Sequence, residues 1–371
     1  MVTKRRMLNC VELPEVELLN CVEPEGIMLA MRGGWKAVRA AAVAAGICWT
    51  GAFGADAGPC ARGEEAFAAR RYTPAQEALW DCVLSASRDP QAAHHLALTY
   101  RETRNYDDGL RRVDAALAHS GKSVDLLYLS AYLHFRMRRQ DDSLRLLGEA
   151  YRMNRSDWRV HQLFALNYVV LDVKDGALAE FQTAIALNPR NAELHYQLAR
   201  FYYSDNRIAE SIEESNAAIA LFPGYPEAYE NLGLCYEALS DRQRGVENFE
   251  RAIAETEKLG LKNEWPFVNY AEFLIKQDEP EAGAQALGRA LELNPASAKA
   301  NYFMGRALRR LGRNAEARTF LERAIKLDAT DPVAYFELGM LLMRLGDRAA
   351  AKPLLDRFQE IKKSAARSAP K

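Results

Sequence analysis

Small residues recur in this chain every 34 positions, in two columns that admit nothing larger than alanine or serine. One reads Gly63, Ala97, Ala131, Ala165, Ala199, Gly233, Ala271, Gly305, Gly339; the other reads Ala75, Gly109, Ser143, Ala177, Ser211, Gly245, Gly283, Ala317, Ala351. A third runs Cys82, Ala116, Ala150, Ala184, Ala218, Ala252, Ala290, Ala324 and breaks at Phe358. One step is 38, between the sixth and seventh units. Positions this small are needed where two helices approach closely, because a larger side chain holds the backbones apart. Bulky columns run in register with them: Tyr100, His134, Tyr168, Tyr202, Tyr236, Leu274, Leu308, Leu342, and Leu79, Val113, Leu147, Phe181, Phe249, Leu287, Leu321, Leu355, with Ser215 the exception. The pattern predicts stacked helix pairs.

Individual units carry a recognisable signature. One runs Tyr229-Glu-Asn-Leu-Gly-Leu-Cys-Tyr236 and continues to Gly245, Phe249 and Ala252; another has Ala177, Phe181 and Ala184 and ends in Asn188-Pro189. In these residues the chain resembles the tetratricopeptide repeat (TPR) family, over roughly residues 56–361. The first and last repeats depart from the pattern, as does the third, where Arg155 stands in place of the terminal proline. The resemblance implies an all-α, right-handed superhelical solenoid of about nine helix-turn-helix repeats, starting near residues 56, 90, 124, 158, 192, 226, 264, 298 and 332. In the fifth repeat the helices are expected at 192–203 and 208–221, and residues 362–371 form a basic tail. Four extra residues near 257–263 extend a second helix and its loop, and Pro353 sits early in the last one.

Hydrophobic residues at 49% and only 14 prolines suit a well-folded helical chain, and a net charge of −1 gives no general pull toward nucleic acid or membrane surfaces. Because each repeat needs only its neighbours, 371 residues are read as one elongated domain.

Residues 31–57 combine Arg32, Lys36 and Arg39, an apolar run from Ala40 to Phe53, and Ala55-Asp-Ala57. Those are the three parts of a secretory signal peptide, which places the mature chain in the periplasm or outside the cell. The run is shorter than the ~20 apolar residues of a membrane span. An uncleaved anchor, or an alanine-rich helix of the mature protein, is the alternative, and the alternative location is cytoplasmic. Neither Cys48 nor Cys60 follows the small residue that lipid-directed cleavage needs. Residues 1–30 contain a tandem echo, Leu8-Asn-Cys-Val-Glu12 and Leu19-Asn-Cys-Val-Glu23, and are read as a mispredicted extension ahead of Met28 or Met31, or a disordered leader. Beyond residue 57 only Cys60, Cys82 and Cys235 remain. Cys235 neighbours the core residues Leu232 and Tyr236 and is expected as a buried thiol. Cys60 and Cys82 fall on opposed helices: either they form a disulfide, or Cys82 fills its alanine-type column.

Catalytic chemistry leaves no mark. Adjacent His94 and His95 point about 100° apart on a helix, and His161 and His195 occupy one column of consecutive repeats, where a packing role is expected. There is no G-x-x-x-x-G-K-[ST], G-x-S-x-G, H-E-x-x-H or CxxC motif, so no catalytic, cofactor-binding or metal-binding residue is assigned and no cofactor is expected. What remains is a surface. In TPR-like solenoids the first helices line a concave groove, which brings Leu98, Tyr128, Tyr132, Phe135, Leu166, Val169, Tyr196, Arg200 and Tyr203 forward as a partner-binding set, of the types that dominate binding hot spots. Some of the tyrosines alternatively pack only against the next repeat. The family's Lys/Asn/Arg clamp for a chain-terminal carboxylate is absent, its places holding Tyr128, Tyr132, Gln162, Leu166, Tyr196 and Arg200. Residues 192–257 carry 13 acids against five bases, whereas 298–331 carry eight bases against four acids, including a candidate basic patch of Arg306, Arg309, Arg310 and Arg313. Such asymmetry steers a partner or simply solvates the surface. The expected function is a non-catalytic scaffold of the bacterial envelope that binds a protein or peptide segment in its groove; the alternative is an intracellular adaptor or the regulatory subunit of an enzyme on another chain.

Overall fold

The computed structural model describes residues 58–85 and 90–368, so the segments read as leader (1–30) and signal peptide (31–57) lie outside the described residues. The helices in chain order are α1 (Pro59–Ala68), α2 (Tyr72–Leu84), α3 (Pro90–Thr103), α4 (Tyr106–Ser120), α5 (Val124–Arg136), α6 (Gln140–Met153), α7 (Trp158–Val170), α8 (Lys174–Leu187), α9 (Ala192–Ser204), α10 (Ile208–Leu221), α11 (Pro226–Ala238), α12 (Arg242–Lys258), α13 (Trp265–Lys276), α14 (Pro280–Leu293), α15 (Ala298–Arg310), α16 (Asn314–Leu327), α17 (Pro332–Arg344) and α18 (Arg348–Ser368). Odd-numbered helices open each repeat and even-numbered ones close it; we call them A and B. They fall into two compact units, the first ending at Pro223 and holding α1–α10, the second beginning at Gly224 and holding α11–α18.

In both units one contact repeats: a large B-helix side chain lies against a small residue of its own A helix. In the first unit, a Cβ placed on Gly63 would sit 2.7 Å from the Leu79 side chain. In the second, a Cβ on Gly305 would sit 2.6 Å from Leu321 Cγ, and one on Gly233 2.9 Å from the Phe249 ring. Leu79, Phe249 and Leu321 are fully buried, as are Ala184 and Ala218 of the third small column. Where the large column holds Ser215, its hydroxyl is buried and donates back to the Ser211 carbonyl at 2.8 Å.

Helix ends follow the same period. Ser123, Asp157 and Asn191 cap A helices of the first unit, and Ser297 and Asp331 those of the second, each side chain accepting a first-turn backbone N–H. Every A-to-B turn contains one left-handed residue: Arg70, Arg104, Arg138, Asp172 and Asn206 in the first unit, Ser240, Asp278, Gly312 and Gly346 in the second, with φ from 54° to 86°. At Arg138 the turn closes by backbone bonds from Arg138 N–H to the Phe135 carbonyl and from Arg139 N–H to the His134 carbonyl. Two expectations are extended by the structure. The residues inserted near 257 lengthen α12 to 17 residues against 14 for α14. The tail placed at 362–371 is helical to Ser368, as the last part of α18.

Cys60 and Cys82 are bridged by a disulfide joining α1 to α2, and Cys235 is a buried free thiol. His161 and His195 tie A to B helices. His161 Nδ1 lies 2.6 Å from Glu180 Oε2 and its Nε2 2.9 Å from the Arg155 carbonyl; His195 makes the equivalent pair with Glu214 at 2.7 Å and the Pro189 carbonyl at 3.4 Å. A carboxylate and a carbonyl can only accept, so both ring nitrogens carry hydrogen and the rings are imidazolium. The hydrogen bond to the carboxylate accordingly raises both histidines above the usual 6.5, against the opposing pull of burial.

Replacing Ala184 or Ala218 with leucine is expected to cost about 1–3 kcal/mol or more by overpacking, whereas Ala68→Leu, outside the columns, costs much less. Denaturant titration of the three variants measures this, and equal losses would mean the packing register is misassigned. A second expectation concerns pH. Because the folded values of His161 and His195 are raised, their stabilisation is complete below the unfolded value and is lost as pH rises through the folded ones. The stability gap between the wild type and a His161→Gln/His195→Gln variant should therefore be wide near about pH 6 and shrink by about pH 9; an unchanged gap would show that the pairs are not ionic.

Candidate partner-binding face

Four successive A helices of the first unit enclose one side of a small cavity. Its lining comes from α3 (His94, Leu98, Arg101), α5 (Tyr128, Tyr132, Phe135, Arg136), α7 (Gln162, Leu163, Leu166) and α9 (Glu193, Gln197). The residues recur at the 34-residue step, because positions four and three apart on one helix share a face and the repeat copies that face onto the next helix. The space open to the centre of a water molecule is about 30 Å³.

Five residues of the set proposed from sequence are brought together there: Leu98, Tyr128, Tyr132, Phe135 and Leu166. Tyr196, Arg200 and Tyr203 lie on α9 outside the lining. The face is far less open than a groove of exposed aromatics. Tyr128 and Tyr196 are each 1% exposed, Leu98, Tyr132 and Phe135 are also buried, and Leu166, Arg200 and Tyr203 keep partial exposure, as does Val169, which lies on α7 outside the lining.

The reason is a buried polar chain that crosses the face. The Tyr128 hydroxyl donates to His94 Nδ1 at 2.9 Å, and His94 Nε2–H meets Glu193 Oε2 at 3.3 Å. Glu193 Oε1 accepts from Gln197 Nε2 at 2.9 Å, and Gln197 Oε1 accepts from Gln162 Nε2 at 3.0 Å. The second repeat is thereby tied directly to the fifth. Burial lowers the His94 pKa and keeps the ring neutral, with one nitrogen accepting and the other donating. Burial pushes the Glu193 carboxyl up, but the His94 hydrogen bond and the charge of Arg101 more than offset it, so Glu193 stays ionised. Burial likewise raises the Tyr128 and Tyr132 hydroxyls, which remain protonated donors.

Two arginines frame this chain. Arg159 is 1% exposed and fully engaged: Asp157 takes its Nε and Nη2, Asp125 lies 2.7 Å from Nη2, and the Pro90 carbonyl accepts from Nη1. Arg101 differs. Burial opposes its charge, yet the carboxylates of Glu102 and Glu193 hold the guanidinium ionised, and its Nε donates to Glu102 at 2.8 Å. Its Nη2 is buried and makes no hydrogen bond. His94, Arg101, Glu193 and Gln197 are absent from the partner-binding set expected from sequence, which holds mostly aromatic and aliphatic side chains. The signal was positional: His94 shares the column of Tyr128, and Arg101 that of Phe135.

The candidate basic patch in the second unit is neutralised from within. Arg306 and Arg309 lie 3.8 and 3.2 Å from Glu337, Arg310 lies 3.2 Å from Asp278, and Arg313 lies 2.7 Å from Glu316. The columns that α17 covers on α15 are exposed on α17 itself, where Val333, Phe336, Met340 and Met343 form an apolar stripe. Among the described residues no cluster of three His, Cys, Asp or Glu side chains is disposed to hold a metal ion, and no helix is long and apolar enough to cross a membrane.

Two tetratricopeptide repeat family models match the chain, one over residues 94–158, 165–226 and 274–332, the other over 226–258 and 332–364. BBSome complex member BBS4 of Bos taurus is 24% identical over 157 residues, which is 42% of this chain and 30% of that protein, so the chain spans under a third of this curated relative. Among solved structures, the crystal structure of the APC/C hetero-tetramer Cut9-Hcn1 aligns with a TM-score of 0.63 at 14% identity, over 76% of this chain and 55% of that one. YrrB, titled a TPR protein with an unusual peptide-binding site, aligns with a TM-score of 0.38 at 23% identity, over 49% and 92%. The helix pairs, their 34-residue period and family models covering more than half of its length together show that the chain belongs to the tetratricopeptide repeat family.

Proposed function

We propose that this protein is a non-catalytic scaffold of the bacterial cell envelope, which binds a segment of a protein partner on the A-helix face of repeats two to five. TPR proteins are interaction scaffolds that bind protein or peptide partners. The observation that carries the site is the cavity itself, where four A helices converge apolar walls on a few oriented polar groups, the usual make-up of a binding pocket. The envelope setting is supported by the signal-like residues 31–57 and by the Cys60–Cys82 bridge, since structural disulfides persist in oxidising compartments.

Two measurements test the two halves of this reading. Protein purified from its native host should begin near Gly58 and carry Cys60 and Cys82 oxidised. A native chain that retains residues 31–57, with both thiols free, would return the reading to an intracellular adaptor. For the site, Leu166→Lys places a charge on a half-exposed wall of the cavity. A partner recovered from envelope extract with the wild type should bind this variant weaker by about 2 kcal/mol or more, the hot-spot range, while the melting temperature barely moves. Unchanged retention would remove the cavity from the interface.

A further inference from the structure

The last repeat closes the second unit with a face unlike those before it. On α15, Tyr302 is buried, and Arg306 and Arg309 lie 3.8 and 3.2 Å from Glu337 of α17. One repeat on, the same columns hold Phe336, Met340 and Met343, each at least 40% exposed. With Val333 they follow the three-and-four spacing that lines one face of a helix. Terminal repeats of a solenoid need a polar outer face to stay soluble, and this one is apolar.

Two features close the face to a further repeat in the same register. No arginine stands at Met340 or Met343 to meet the glutamate of an incoming helix. The third small column, whose Ala184 is fully buried in one cluster with Leu194 of the next A helix, is filled here by Phe358, its ring 5.1 Å from that of Phe336.

We propose that this face docks a second copy of the same chain, the two α17 helices lying antiparallel about a two-fold axis. With the axis level with Leu338, Phe336 faces the partner subunit's Met340 and Val333 faces the partner subunit's Met343. The symmetry makes each contact twice, and a thioether against an aromatic ring is favourable. Charge fits the same arrangement. Asp331 caps the first turn of α17 and exposed Arg344 ends the last, about 20 Å away along the helix. Antiparallel pairing sets each beside its opposite on the other copy, whereas parallel pairing sets like against like. A partner of one charge sign would satisfy one end of the helix and oppose the other. The stripe, with partly exposed Phe358 and Ile361 beside it, offers on the order of 500 Å² of apolar surface, within the span of functional patches on monomers. Two copies bury on the order of 1,000 Å², the lower limit of a specific interface, so the dimer is weak and concentration-dependent.

This surface is separate from the cavity of the first unit, and its test does not depend on that reading. Sedimentation velocity of the purified protein, run from micromolar to near-millimolar concentration, should show the mass moving from one copy toward two. Met340→Lys, at a side chain 47% exposed, should keep its melting temperature and weaken the dimer about tenfold or more. Leu239→Lys, at an equally exposed leucine of α11, should dimerise as the wild type does. The arrangement is tested by mixing. Phe336→Glu alone should be monomeric, yet an equal mixture of Phe336→Glu and Met340→Lys should dimerise. There the new glutamate faces the new lysine, while the untouched Met340 and Phe336 still meet. A wild type that stays monomeric throughout overturns the proposal, and a protein partner lost in Met340→Lys would then claim the stripe. Dimerisation undisturbed by Met340→Lys, or abolished equally by Leu239→Lys, overturns it as well. A mixture that remains monomeric refutes the antiparallel pairing.

Discussion

The seating of a B-helix side chain on a residue with little or no side chain of its own is the contact on which the rest depends. Leu321 against Gly305 and Phe249 against Gly233 bring the two helices of a repeat close enough that even one added carbon meets the partner at 2.6 to 2.9 Å. Interiors are packed to crystal-like density, so a contact this close fixes the rotation of each helix as well as its distance. Once rotation is fixed, the remaining faces have set destinations. One edge of each A helix must meet the next A helix, and polar residues that fall on that edge are carried into the interior with it.

That consequence explains the character of the candidate site. His94, Gln162 and Glu193 occupy A-helix positions whose burial follows from the packing of their neighbours, and a buried polar group is costly unless paired. They are paired in series, Tyr128 to His94 to Glu193 to Gln197 to Gln162, so that each donor or acceptor of the chain meets another. A network satisfied throughout rigidifies the face that carries it. Arg101 Nη2, buried without a hydrogen bond, stands outside that series.

The fold was legible in the sequence because its constraint is steric and falls on residue types that are easy to see. Gly, Ala and Ser in register every 34 positions locate the helix pairs directly, and the structured caps at Asp157, Asn191 and Asp331 recur with the same step. The A-to-B turns were less visible, since the left-handed position is filled by Arg, Asp, Asn, Ser or Gly and no single chemistry marks it. The site was half legible. Leu98, Tyr132 and Phe135 followed from their columns, but exposure did not, because burial of Tyr128 depends on His94 and Glu193 meeting across the face, 99 residues apart. Periodicity reports what a repeat does with its neighbour. It carries no information on contacts that skip repeats.

Histidine shows how far residue type alone falls short. His94, His161 and His195 all lie on A helices of the first unit, and each has a glutamate within 3.3 Å. What separates them is the second ring nitrogen. In His161 and His195 it faces a backbone carbonyl, which can only accept, so the ring must carry two hydrogens and is charged. In His94 it faces the Tyr128 hydroxyl, which can donate, so a neutral ring satisfies both partners and full burial favours that state. The carbonyl partners of His161 and His195 lie in the loop six residues before each histidine, at Arg155 and Pro189. His94 has its partner on the next A helix instead. One residue type thus serves as a charged tie within a repeat and as a neutral relay between repeats, and the second partner decides which.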